Sequence, residues 1–72
     1  MVFDYSRLRG KIKEVYNTQE AFCVAMGMSE RTLSLKLNNL RAWSQKEILK
    51  ACRLLSIPDV EIPLYFFTLA AQ

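Results

Sequence analysis

The stretch TQEAFCVAMGMSERTLSLKLN, residues 18–38, decides the fold of this chain. Thr18 and Ser29 are residue types that cap helix N-termini, and Gly27 suits the left-handed conformation that ends a helix. The spacing predicts two short helices of about equal length, joined by a tight turn at Gly27, Met28 and Ser29. Such a pair is typical of the helix-turn-helix, whose second helix can enter the major groove of DNA while the first crosses the backbone.

The segments beside this pair predict further helices that supply a core. Asp4 suits the N-cap of a first helix that runs to about residue 15. The apolar positions of that helix recur at helical spacing and should face the core: Tyr5, Leu8, Ile12, Val15 and Tyr16. On the third helix the packing side should hold Leu33, Leu37 and Leu40. Asn38 and Asn39 should end this helix, because asparagine tolerates the left-handed conformation.

The second half of the chain predicts a fourth helix and a short last one. Ser44 and Glu47 have the S-x-x-E spacing of a capping box, and Trp43 before it can pack onto Ile48. Pro63 suits the first position of a last helix that runs through residue 67. This helix contains three consecutive aromatic residues, Tyr65, Phe66 and Phe67. One short helix cannot bury all three. We therefore expect at least one of them to close the core and another to lie at the surface.

Composition limits the chain to one small domain and argues against catalysis. With 72 residues there is room for one core, so we predict a single all-α domain over residues 1–72, a small four- to five-helix bundle. There is no histidine, glycine-rich phosphate loop or carboxylate cluster, so we expect no catalytic site, cofactor or metal. Cys23 and Cys52 occupy apolar positions without metal-like spacing, which favours buried reduced thiols in a reducing cytoplasm.

Charge is distributed unevenly along the chain. All ten Lys and Arg precede residue 54, against five acids there, and the tail carries only Asp59 and Glu61. A basic body suits phosphates or an acidic protein surface, and ordinary solvated side chains explain the charge equally well. The start lacks a signal-peptide core, and the longest apolar run, about ten residues, is too short for a bilayer. We expect a cytoplasmic protein of the bacterial host cell that binds no membrane.

About residues 8–57 resemble the Cro/C1-type (Xre-like) helix-turn-helix family of phage regulators, which has the lambda repressor-like fold. The resemblance rests on residues of the helix pair: Gln19, Phe22, the small Cys23, the run Met26, Gly27, Met28 and Ser29, and Leu33. The runs SERTLSLKLNN and WSQKEILKACRLLSIP and the YFF ending are similar to the short Cro-like and modulator-of-repression proteins of Gram-positive (lactococcal) temperate phages. This implies a regulator of the lytic–lysogenic switch that binds double-stranded operator DNA, the phage CI-type repressor, or both.

The predicted DNA- or partner-binding residues lie on or beside the third helix: Gln19, Glu30, Arg31, Ser34, Leu35 and Asn38. The resemblance implies phosphate contacts for Gln19 and Asn38 and recognition positions at Glu30 and Arg31. The guanidinium of Arg31 can bind guanine O6 and N7, whereas Glu30 is repelled by phosphates unless it pairs with Arg31 or a cytosine amine. Leu35 could meet a thymine methyl group, anchor a protein interface, or be exposed without a role.

Five basic residues could add phosphate contacts, although ordinary roles explain them more simply: Lys11, Lys13, Lys36, Arg41 and Lys46. Lys36 stands where the family has an aliphatic residue, so Leu37 should take the packing role. Two hypotheses stay open: an operator-binding regulator, and an antirepressor or co-repressor with little DNA binding of its own. The C-terminal tail, residues 58–69, contains an apolar run that could form a homodimer seam or close the monomer core.

Overall fold

The fold is that of a computed structural model, in which the structure of residues 2–71 is described. Its α-helices are α1 (Ser6–Tyr16), α2 (Gln19–Met26), α3 (Glu30–Leu37), α4 (Gln45–Leu54) and α5 (Ile62–Phe66). A short 3₁₀ helix, Asp59–Glu61, precedes α5, and an isolated antiparallel bridge joins Phe3 to Leu69. The predicted all-α bundle is confirmed. Within the described residues, no helix has the length and apolarity that crossing a bilayer requires.

Three of the four predicted helix N-caps are present, those of α2, α3 and α4. The hydroxyls of Thr18 and Ser29 each accept a backbone N–H three residues further on, at 3.1 Å. At α4, Ser44 Oγ accepts the N–H of Glu47 at 3.1 Å, and Glu47 Oε1 accepts the N–H of Ser44 at 2.8 Å. These bonds satisfy backbone donors that would otherwise lack partners in the first turn. They fix where α2, α3 and α4 begin.

One hydrophobic cluster holds the helices together. Its largest fully buried side chains are Leu8, Ile12, Phe22, Leu33, Leu55 and Phe66. The ring of Phe66 packs edge-on against Trp43, with centroids 5.1 Å apart, so α5 closes the core next to the start of α4. Tyr65 is also buried, whereas Phe67 is 52% exposed. This confirms the expectation that the aromatic run divides between core and surface.

Three predictions about packing and capping were wrong. Leu40 is 74% exposed because α3 ends at Leu37 and Asn39 takes a φ of 63°, which carries Leu40 off the helical wheel. Val15 is exposed, and Tyr16 next to it packs edge-on against the core. Asp4 is not the N-cap of α1, which begins after Tyr5. The Asp4 carboxylate instead accepts the N–H of Ser6 at 2.8 Å.

Asn39 ties the N-terminal segment to the end of α3. Its Oδ1 accepts the backbone N–H of Phe3 at 2.8 Å, and its Nδ2 donates to the Phe3 carbonyl at 2.9 Å. One amide side chain thus satisfies both backbone groups of Phe3, as a neighbouring strand would. Next to it, the N–H of Asp4 donates to the Thr68 carbonyl at 2.7 Å. The two ends of the described chain are therefore fastened to each other beside α3.

Gly10 and Gly27 give opposite predictions for alanine substitution. At Gly10, an exposed position within α1, an added Cβ meets nothing within 4 Å. Gly10→Ala should therefore raise the free energy of unfolding by roughly 0.5–1 kcal/mol, through helix propensity alone. Gly27 has a φ of +74°, so Gly27→Ala should lower it by about 1–2 kcal/mol. Urea unfolding followed by the fluorescence of Trp43 measures both, and effects of the same sign would contradict this assignment.

Candidate functional site

The surface with the predicted binding residues is built on α2, a three-residue turn and α3. Gly27 ends α2, and its N–H donates to the Val24 carbonyl at 3.2 Å. The N–H of Met28 then donates to the Cys23 carbonyl at 3.0 Å, and Ser29 caps α3 at once. The predicted helix, turn and helix over residues 18–38 are present. The finer assignment to the Cro/C1 type stays a prediction.

The structure exposes most of the predicted binding residues. The side chains that are exposed to solvent are Gln19, Glu30, Arg31, Ser34 and Asn38. Leu35 is half-buried and lies outside the core cluster. Apart from Gln19, the first residue of α2, these residues belong to α3 or to its C-cap. We call the exposed surface of Glu30, Arg31, Ser34, Leu35 and Asn38 the α3 face.

The end of α3 involves an arginine that the sequence did not indicate. Arg9, an exposed residue of α1, donates through Nη2 to Leu37 O and to Asn38 Oδ1, both at 3.3 Å. Asn38 Nδ2 in turn donates to the carbonyl of Ser34 at 2.8 Å. The polar groups of Ser34 and Asn38 are thus partly engaged within the protein. No local pattern signals the Arg9 contact, because it joins residues that are 28 and 29 positions apart.

Lys36 is not available to bind a phosphate, and this prediction was wrong. The residue is only 4% exposed, and its Nζ donates to Glu47 Oε1 at 2.8 Å and to Ala42 O at 2.9 Å. The ammonium also lies 5.8 Å from the ring centroid of Trp43, within the range of a cation–π contact. Leu37 is buried, as predicted, but Lys36 is buried beside it, so Leu37 does not take the place of Lys36 in the packing.

The carboxylate of Glu47 compensates the positive charge of the buried Lys36. Its Oε1 is shared between the Lys36 ammonium and the backbone N–H of Ser44. Partial burial acts to raise the pKa of Glu47, but the hydrogen bonds from Lys36 and Ser44 and the charge of Lys36 outweigh it, so the pKa lies below its ordinary value. Glu47 therefore stays ionised at neutral pH and connects α3 to the start of α4.

The remaining basic residues predicted to contact phosphates lie at or near the surface. Lys13, Arg41 and Lys46 are exposed. Lys11 is half-buried and forms an ion pair with Glu14, with Nζ and Oε2 2.9 Å apart. An anion could reach these four residues. Ordinary solvated lysines and arginines are exposed in the same way, so exposure does not distinguish the two roles.

Both cysteines are buried and free, as predicted. Burial, and after it the carboxylates of Glu30 and Glu20, raises the pKa of the Cys23 thiol. Burial, followed by the charge of Asp59, raises the pKa of Cys52. Neutral thiols of this kind are poor nucleophiles and poor metal ligands.

Comparison with known proteins places the chain in a family. Residues 1–69 match the family described as "Protein of unknown function (DUF739)". The chain is similar to the solution structure of the modulator of repression (MOR) of the temperate bacteriophage TP901-1 from Lactococcus lactis. The two are 54% identical with a TM-score of 0.81, over 93% of this chain and 90% of that chain. A comparison with curated proteins gives no match. The predicted resemblance to the phage modulators of repression is confirmed, and the chain belongs to the DUF739 family.

Proposed function

We propose that this chain regulates repression in the lytic–lysogenic switch of a temperate phage. It acts in the host cytoplasm, by binding and without catalysis, and its partner is the phage CI-type repressor, which it engages through the α3 face. The support at the level of the family is the 54% identity to a protein named as a modulator of repression, over nearly the whole of both chains. The choice of a protein partner is supported by the chemistry of α3.

The ion pair that buried Lys36 forms with Glu47 favours a protein partner over DNA. Lys36 is the only lysine of α3, and its charge is taken up by Glu47 inside the protein. The exposed charges that remain on α3 are Glu30 and Arg31, which cancel. Affinity for DNA depends on excess positive charge that neutralises phosphates. Protein interfaces instead combine an apolar centre with a polar rim, and Leu35 among polar neighbours fits that description.

Operator DNA is the second candidate partner. Gln19 at the start of α2 and Arg31 at the start of α3 are both exposed, as the resemblance to helix-turn-helix regulators requires. Arg9 and Arg41 add exposed positive charge near the other end of α3. If the chain binds an operator as a homodimer, the exposed Phe67 of the C-terminal tail offers an apolar contact for the second copy.

The purified chain should form a stoichiometric complex with the purified CI-type repressor in the absence of DNA. The repressor is the one encoded by the phage or prophage that carries this gene, and co-elution from a sizing column detects the complex. Leu35→Ala and Arg31→Ala should each weaken the complex about tenfold or more, as truncations near an interface centre do. Val60→Ala, which shortens an exposed apolar side chain of the 3₁₀ helix, is the control and should bind like the wild type.

A different pattern would point to the DNA candidate. Failure of the two proteins to co-elute, together with operator binding that falls steeply with salt and is lost in Arg31→Ala, would contradict the repressor as partner. That salt dependence is expected when arginines displace counterions from phosphates.

A further inference from the structure

A cleft lies where both ends of the described chain meet the start of α4. Its volume is about 210 Å³, and the side chains that line it include Phe3, Tyr5, Arg41, Trp43, Ile48 and Phe67. A second cavity of about 270 Å³ adjoins it, because Ile48 and Phe67 line that cavity as well, together with Gln45 and Leu49. We call the two cavities together the tail cleft. It is distinct from the α3 face, whose residues do not line it.

The walls of the tail cleft are held in place by contacts within the protein. Asn39 binds both backbone groups of Phe3, and the Phe3 ring packs edge-on against Phe67, with centroids 6.1 Å apart. The ring of Trp43 packs in the same way against the buried Phe66. A ligand therefore meets a cleft that is already formed, which lowers the ordering cost of binding.

Large apolar side chains are left uncovered in the tail cleft. Leu49 is 49% exposed and Phe67 is 52% exposed, and the two line the second cavity together. Contiguous apolar surface of this kind marks binding sites on soluble proteins. Each cavity is smaller than the roughly 300–1,000 Å³ of sites that enclose a whole small molecule. Two adjoining cavities of this size suit two neighbouring side chains of a protein segment.

The rim of the tail cleft is basic. Arg41 is exposed on its wall. On α4, Lys46 lies three residues before Leu49 and Arg53 four residues after it, positions that are neighbours on a helix surface, and both are exposed. None of these three cations forms an ion pair with a partner in residues 2–71. Their charges are therefore free to act on a ligand.

The acids beside the tail cleft do not neutralise this charge. Within residues 2–71, no carboxylate lines either cavity. Two acids are adjacent in sequence to lining residues. Glu47 is paired with Lys36, and Asp4 turns its carboxylate toward the N–H of Ser6 at the start of α1. Even when Asp4 is counted in full against the three cations, the rim keeps a positive charge.

The other charges near these elements lie away from the tail cleft. Asp59 and Glu61 precede α5, whereas Phe67 follows it. Lys50, on α4, extends to the end of α2, where its Nζ donates to the Met26 carbonyl at 3.1 Å. The tail cleft therefore combines an apolar interior with a positive rim.

We propose that the tail cleft binds an acidic segment of a partner protein. Two apolar side chains of that segment fill the two cavities, and its carboxylates lie beside Arg41, Lys46 and Arg53. Charge complementarity selects such a segment over a basic or an uncharged one. A bilayer is disfavoured, because helices that lie on membranes turn an apolar face outward, and the cleft is concave. The inference does not depend on the proposed function, since the α3 face takes no part in it.

Two capped synthetic peptides provide the probes. Each contains one phenylalanine and one leucine among aspartates and glutamates, two positions apart in one peptide and four apart in the other, so that extended and helical segments are both represented. At least one should bind the full chain at low salt with a Kd on the order of 100 μM or tighter. The fluorescence of Trp43, which lines the cleft, measures the affinity. The same peptide with asparagine and glutamine in place of its acids should bind at least about tenfold more weakly.

Variants separate the charge of the cleft from its apolar surface. Arg41→Glu with Lys46→Glu should weaken binding of the acidic peptide at least about tenfold at low salt, and the loss should shrink at high salt. Phe67→Ala should also weaken it about tenfold, because Phe67 borders both cavities. Arg7→Glu with Lys13→Glu is the matched control, since it changes the net charge equally at exposed sites of α1. It should bind within about twofold of the wild type, and circular dichroism checks that each variant keeps its helices.

Several results would overturn the inference. One is that neither acidic peptide binds, and another is that the amide peptide or the cleft variants bind as the acidic peptide and the control do. Self-association of the wild type that Phe67→Ala abolishes, without peptide binding, would assign the cleft to a second copy of the chain. Sedimentation with phosphatidylglycerol vesicles that the cleft variants abolish, again without peptide binding, would assign it to a membrane surface. All of these results leave the proposed function standing, because that function is tested with the repressor and the α3 face.

Discussion

Phe66→Ala is expected to lower the free energy of unfolding at 25 °C by a large fraction of its total. Phe66 is 2% exposed and is one of the largest fully buried side chains. Replacing a buried phenylalanine by alanine costs about 3–5 kcal/mol, while a domain of this length has a total stability of roughly 4–11 kcal/mol. Urea unfolding followed by Trp43 fluorescence measures the loss, and the edge contact between the two rings makes that signal sensitive to this site.

The adjacent residue provides the control for Phe66. Phe67 is 52% exposed, so Phe67→Ala should cost about 1 kcal/mol or less. The comparison isolates burial, because the two residues have the same side chain and are neighbours in sequence. Equal losses in the two variants would mean that the C-terminal tail does not close the core as described.

Glu47→Ala should lower the free energy of unfolding by about 3 kcal/mol, the second large effect. Without Glu47, the buried ammonium of Lys36 keeps only the Ala42 carbonyl as a hydrogen-bond partner. An uncompensated buried charge is strongly destabilising, and the capping bond to Ser44 is lost as well. We set the estimate at the low end of the usual range because the Glu47 side chain is 30% exposed and solvent weakens the pair.

Lys36→Met is the matched control for Glu47→Ala. Methionine keeps the length and apolar body of the side chain and removes the charge, and the partly exposed Glu47 can then be hydrated. This variant should cost less than about 1.5 kcal/mol. A loss as large as that of Glu47→Ala would contradict the view that the buried charge, and not the side-chain packing, dominates this contact.

The same carboxylate predicts how stability depends on pH. The folded-state pKa of Glu47 lies below its ordinary value of 4.5, so its contribution is fully present above that value and is lost as the pH falls through the lowered pKa. The pKa of Asp4 is also lowered, by hydrogen bonds from Ser6, and acts in the same direction. Stability should therefore fall in acid below about pH 4.5, and Glu47→Ala should show a smaller fall than the wild type.

Local signals in the sequence predicted the helices well. The capping box of Ser44 and Glu47 and the hydroxyl caps at Thr18 and Ser29 depend on residues within one turn, and all three are present. The left-handed glycine at Gly27 was predictable for the same reason. These features are decided by short-range chemistry, which a single sequence contains.

Contacts between distant residues were not predictable in the same way. The helical period treats a lysine as exposed, so Lys36 gave no sign that it pairs with Glu47 eleven positions later. The hydrogen bonds of Arg9 to the end of α3 and of Asn39 to Phe3 depend on how the helices pack. These long-range contacts decide which charges stay on the α3 face, and the functional proposal depends on them.

Backbone NMR of the ¹⁵N-labelled chain, titrated with unlabelled CI-type repressor in the absence of DNA, tests the central claim most directly. We predict that the amide shifts change along α3, from Glu30 and Arg31 through Leu35 to Asn38. Saturation at one repressor domain per chain should accompany the change. Shifts confined to the surface of Leu49 and Phe67, or no shifts at all, would contradict a repressor-binding α3 face.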